Sequence, residues 1–104
     1  MTNEAPLKIN KERLWSSILR MAEIGATAKG GCRRLALSDE DADARKLFLT
    51  WAAEVGCSIK IDSMGNIFAR REGIGSGSYA PVATGSHLDT QPSGGKFDGP
   101  LGVI

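Results

Sequence analysis

The single histidine of this 104-residue chain stands in Gly85-Ser86-His87-Leu88-Asp89-Thr90, two positions before an aspartate. In an extended stretch, residues two apart project to the same side. Asp89 can therefore accept a hydrogen bond from one imidazole nitrogen and leave the other bare. A metal-bound histidine has this arrangement: an outer carboxylate fixes the tautomer and raises the basicity of the ligating nitrogen. The loop continues Gln91-Pro92-Ser93-Gly94-Gly95-Lys96-Phe97-Asp98-Gly99, where small neighbours let the Asp98 carboxylate approach an ion closely. A plain hydrogen-bonded His–Asp pair and a generic Asp-Gly turn account for the same letters, and both readings stand on spacing alone.

Other chemistries fit less well. Ser86 and His87 are adjacent, so in extended backbone they face opposite ways and Ser86 cannot hand its proton to the ring. No GxSxG elbow is present, and the glycine-rich stretch lacks the GK[ST] ending of a phosphate loop. The acidic run Asp39-Glu40-Asp41 after Ser38 reads as helix capping rather than metal binding, because carboxylates favour the positive end of a helix dipole.

The elements that must position this loop follow from periodicity. Asn10 is a candidate N-cap, and Leu14, Ile18, Met21 and Ala22 recur at helical spacing, widened by Trp15 and Leu19, up to a stop at Gly25. Residues 26–37 read as a Gly-containing loop. A second helix starts at Ser38, carries Ala44, Leu47, Phe48, Trp51, Ala52 and Val55 on one face, and ends at Gly56. The pattern then changes to alternation: Cys57, Ile59 and Ile61 predict a half-buried strand, Ser63-Met64-Gly65-Asn66 a turn, and Ile67–Arg71 the returning strand of a hairpin. Gly73-Ile74-Gly75-Ser76-Gly77-Ser78 reads as a flexible connector. Ala80-Pro81-Val82-Ala83-Thr84 predicts a short buried strand that delivers His87 at its C-terminal end, where open α/β sheets place ligands. Residues 1–9 read as a flexible leader, and the fold class is α/β.

Composition bounds the function classes. Thirteen Lys+Arg against twelve Asp+Glu give a net charge of +1, with no basic stripe for nucleic acid. Arg33-Arg34 and Arg70-Arg71 read as solvated or locally paired. No apolar run approaches a membrane span, and the first residues have no basic n-region or apolar h-region of a secretory signal. Cys32 and Cys57 form no CxxC pattern and read as reduced thiols of a cytoplasmic protein. The chain stops at Gly102-Val103-Ile104 as an apolar run begins, so the expectation is part of a longer domain rather than a complete one.

Three stretches resemble the hydantoinase/carbamoylase family of amidases, a branch of the M20-type dinuclear metal hydrolases. They are Gly31-Cys32-Arg33-Arg34-Leu35-Ala36-Leu37-Ser38-Asp39-Glu40-Asp41, then Asp62-Ser63-Met64-Gly65-Asn66-Ile67-Phe68-Ala69-Arg70, and the His-x-Asp-Thr loop with Gly94-Gly95-Lys96-Phe97-Asp98-Gly99 through Leu101-Gly102-Val103. The last is the most specific. The resemblance implies the N-terminal part, residues 10–104, of a Zn-aminopeptidase-like catalytic domain. It implies His87 as ligand of one of two divalent ions (Zn or Mn), Asp98 as their bridge and Asp89 as the orienter of His87. In relatives the bond after the bridging aspartate is often cis, which makes Asp98–Gly99 a candidate. Pro100 departs mildly from the pattern, since the family more often has a small residue such as Ala there.

The implied activity is metal-dependent hydrolysis of a linear C–N bond in a small N-carbamoyl or ureido substrate. N-carbamoyl-L-amino acids lead, with allantoate amidohydrolase and β-ureidopropionase activities as alternatives. A non-catalytic remnant of a split gene is the alternative from another class. The family's general-base Glu, its neighbouring Glu ligand and two further His ligands lie downstream of this segment. With His87 and Asp98 alone, fewer donors than the three or so of a catalytic zinc are present, so these 104 residues by themselves are expected to be inactive. The resemblance also implies a second, dimerising domain, hence a homodimer for the intact protein.

Overall fold

The computed structural model describes residues 5–75, 77 and 79–104. Its elements in chain order are α1 (Lys11–Glu23), α2 (Asp39–Glu54), β1 (Ser58–Ile61), β2 (Ile67–Arg70) and a short α3 (Pro100–Val103). The expected leader falls partly outside the described residues, and residues 5–9 are irregular and exposed. The connector expected at 73–78 includes Ser76 and Ser78, which also lie outside them.

Both long helices begin where their caps predict. The Asn10 side chain accepts the Arg13 N–H at 3.0 Å, and Ser38 Oγ accepts the Asp41 N–H at 3.1 Å. Asp41, nearly buried, turns its carboxylate back to accept the Leu37 N–H at 3.0 Å. The acidic run is thus engaged in capping. At the other end of α2, Gly56 takes φ +80°. Its N–H donates to Ala53 O at 3.0 Å, and the Cys57 N–H donates to Ala52 O at 2.9 Å. These two bonds define a Schellman stop, which a side chain at Gly56 would strain.

The hairpin forms as expected, with Ile59 opposite Ala69 and Ile61 opposite Ile67 in an antiparallel pair. Its turn is organised by one carboxylate. Asp62 accepts from the Met64 N–H at 3.0 Å, the Asn66 N–H at 2.8 Å and Asn66 Nδ2 at 2.9 Å. These donors, the Asn66 side chain first, hold the Asp62 carboxyl below its ordinary value.

Two expectations fail. The strands are not half-buried: Ile59, Ile61 and Phe68 are 39%, 50% and 54% exposed. A two-stranded sheet whose main neighbour among the described elements is α2 leaves these residues uncovered. Residues 80–84 are not a buried strand either. They are exposed and unpaired, because β1 and β2 pair only with each other and offer them no ladder. The radius of gyration, 15.8 Å, exceeds the roughly 13 Å of a compact domain of this length.

The buried centre lies elsewhere. Ile18, Met21 and Ala22 of α1 are buried, as are Cys32, Arg34, Thr90 and Pro100. Arg34 is fully buried while Arg33 is exposed, which corrects, for Arg34, the reading of this pair as solvated or locally paired. Residues 24–26, 32–34 and 88–94 meet here, joined by isolated bridges between Ala26 and Cys32 and between Cys32 and Gly94. Both cysteines are free thiols.

Candidate metal-binding loop

His87 and Asp89 come together as their spacing predicts, with one difference. His87 Nδ1 lies 2.9 Å from the main-chain oxygen of Asp89 and 3.3 Å from its carboxylate Oδ1. The main-chain oxygen is thus the nearer acceptor. Both oxygens select the tautomer that carries its proton on Nδ1. Nε2 has no hydrogen-bond partner among the described residues, and the His87 side chain is half exposed.

The Asp98 turn folds back onto the same imidazole. Gly99 has φ +78° and ψ −67°, and a Cβ placed there would lie 2.5 Å from His87 Cε1 and 2.6 Å from Nδ1. Only glycine satisfies both constraints. Next to it, Pro100 sits buried at the first position of α3, where its fixed φ and missing N–H cost nothing. Gly102 packs on Ser86, so α3 backs the start of the His87 loop. On the other flank, Phe97 lies against Trp15 of α1 at 5.9 Å between ring centroids, with Lys96 Nζ 5.6 Å from the Phe97 ring. The Asp98–Gly99 bond is trans, and no cis peptide occurs among the described residues.

The loop is anchored from below by a residue whose role the sequence reading missed. Arg34 Nε donates to Leu88 O at 2.8 Å, and Nη1 donates to Met21 O at 3.0 Å and Ile24 O at 2.6 Å, near the end of α1. Its main chain pairs with Thr90: the Arg34 N–H donates to Thr90 Oγ1 at 2.8 Å, and the Thr90 N–H donates to Arg34 O at 2.7 Å. The one available signal was alternation, since Cys32 and Arg34 point inward and Arg33 outward as in any extended stretch.

The chemistry of the donor set bears on whether a metal fits. A bare, oriented imidazole nitrogen and the exposed carboxylate of Asp98, the residue before the Gly99 that abuts the ring, are suitable donors for zinc or manganese. However, no group of three or more His, Cys, Asp or Glu converges to hold an ion among the described residues. By themselves the described residues do not complete such a site. No described helix is long and apolar enough to cross a membrane.

With this geometry in view, known proteins give the context. No protein-family model matches the chain. It is 48% identical over 97 residues to an N-carbamoyl-L-amino-acid amidohydrolase of Rhizobium meliloti, covering 93% of this chain and 23% of that protein. It is 39% identical over 84 residues to an allantoate amidohydrolase of Bacillus subtilis, covering 81% and 20% respectively. A crystal structure of a hydantoinase/carbamoylase family amidase from Burkholderia ambifaria superposes with a TM-score of 0.89 at 52% identity, over 94% of this chain and 24% of that one. In sequence and in fold the chain is therefore similar to the hydantoinase/carbamoylase amidases, the family its motifs resemble. It spans about a quarter of the length of these relatives.

Proposed function

We propose that these residues form part of the catalytic domain, Zn-aminopeptidase-like in fold, of a metal-dependent amidohydrolase that cleaves a linear C–N bond. N-carbamoyl-L-amino acids are the leading substrates. The observation that carries this reading is the match to a named N-carbamoyl-L-amino-acid amidohydrolase at 48% identity over 93% of the chain. Allantoate is the second candidate, supported by the Bacillus relative.

In this proposal His87, through Nε2, would hold one of two divalent ions, Asp98 would be shared between them, and Asp89 would fix the imidazole from behind. Such ions polarise a carbonyl and lower the pKa of bound water. The contribution of this chain is to hold one imidazole in one tautomer and one carboxylate beside it. The remaining donors and the general base would come from outside these 104 residues, which are themselves expected to be inactive.

The test is ammonia release by the whole polypeptide that carries these residues, with zinc or manganese, from N-carbamoyl-L-amino acids, allantoate and β-ureido acids. Turnover of the first class, abolished by Asp98→Ala and strongly reduced by His87→Ala, is the expected result. Undiminished turnover by purified Asp98→Ala protein overturns the bridging role, and no release from any substrate favours the non-catalytic alternative.

A further inference from the structure

Arg34 is an expensive residue to bury. Its side chain is fully enclosed, Nη2 has no hydrogen-bond partner, and no carboxylate pairs with it among the described residues. An apolar side chain of similar volume would fill the space without that desolvation cost. What Arg34 provides instead is geometry. One end of the guanidinium is held by carbonyls near the C-terminus of α1, where the helix dipole is negative. The other end draws the Leu88 carbonyl inward.

That pull has a definite effect two bonds away. In a trans peptide the C=O and the following N–H point in opposite directions. Leu88 O is turned toward Arg34 Nε, so the N–H of Asp89 is turned away from it. One peptide further, the Thr90 N–H is drawn to Arg34 O at 2.7 Å. The Asp89 carbonyl therefore faces the other way, where His87 Nδ1 meets it at 2.9 Å. Both peptide planes flanking Asp89 are thus set by Arg34, one through its side chain and one through its main chain, with Thr90 Oγ1 locking the register.

We propose that Arg34 is the positioning residue of His87: by fixing the two peptide planes around Asp89 it selects the Nδ1–H tautomer and keeps Nε2 bare for a ligand. The inference deepens the metal reading of His87 and rests on it for its purpose. Its test needs no metal, so either can fail while the other stands.

The experiment is nitrogen-resolved side-chain NMR of the neutral imidazole in the 104-residue chain, where His87 is the single histidine and its signals are unambiguous. Circular dichroism reports the fold in parallel. The expected result is a majority of the Nδ1–H form in the unaltered chain, lost in Arg34→Met. Arg34→Lys, whose ammonium reaches one end of the span but not both, falls between. Thr90→Val, which removes the lock without disturbing the buried charge, shifts the ring toward Nε2–H, and Thr90→Ser restores the original form. A majority of Nε2–H in the unaltered chain overturns the proposal, as does a folded Arg34→Met chain with an unchanged tautomer. Should both Arg34 variants lose their fold, the Thr90 pair decides: an unshifted Thr90→Val spectrum overturns it.

Discussion

The hairpin and the His87 loop are ordered in opposite ways. The hairpin has regular secondary structure, with a ladder in register and a turn built on Asp62, yet Ile59, Ile61 and Phe68 remain largely exposed. The His87 loop lacks regular secondary structure until α3, yet it is tied through Arg34, Thr90 and Cys32 to residues more than fifty positions earlier. Regularity and anchoring are separate properties. The His87 loop is placed by long-range polar links to irregular segments, and among the described residues no hydrogen bond joins His87 to the sheet.

The sharpest break of this contrast is Arg34→Met. It removes four hydrogen bonds from a buried cation, three to carbonyls and one to Cys32 Sγ. Hydrogen bonds of a charged group are worth about 1.5–3 kcal/mol each, so even with the cation's desolvation cost relieved a loss of roughly 3 kcal/mol or more is expected in urea denaturation. Gly99→Ala comes next. Left-handed strain alone costs about 1–2 kcal/mol, and the clash with the His87 ring adds to it. The ring's NMR signals should move even where the fold survives. Ser38→Ala tests an ordinary cap and should cost about 1 kcal/mol in the same denaturation assay.

Acid should loosen the hairpin turn. The folded Asp62 carboxyl titrates below its ordinary value of 3.8, so its contribution is complete above that value. It is lost as pH falls through the lower, folded value. The Asn66 side-chain amide resonances followed below pH 4 should report this, and Asp62→Asn should abolish the dependence. The smallest effect is expected for Phe68→Ser, within about 0.5 kcal/mol, since an exposed side chain loses little. A loss well above that would show that something covers the hairpin face, and would erase the contrast drawn here.

The sequence was readable wherever a local rule sufficed. Asn10, Ser38 and Gly56 mark helix ends because capping needs only neighbours within one turn. Gly65-Asn66 marks the hairpin for the same reason. His87 and Asp89 could be paired because two-residue spacing fixes their relative side, although the nearer acceptor, the Asp89 main chain, leaves no trace in residue type. Burial was not readable. Val82 and its neighbours have the letters of a core strand, but a strand needs a partner, and the letters do not supply one. Arg34 was misread because a charged residue enters a core only when distant carbonyls converge on it, here from Met21, Ile24 and Leu88. Those come from two segments that no local pattern joins.

The Arg34–Thr90 clasp also makes everything between its ends a single excursion, closed across a separation of 56 residues. The entropy of closing so long a loop changes only logarithmically with its length. Ten residues added near Gly73–Gly77 would raise the closing cost by roughly 0.15 kcal/mol, below what most stability assays detect. One residue added between Leu88 and Thr90 would break the phase of both peptide planes. Length is therefore nearly free along the excursion and almost fixed at its base, so natural variation in this part of the chain should collect in the connector and avoid the three residues beside the clasp.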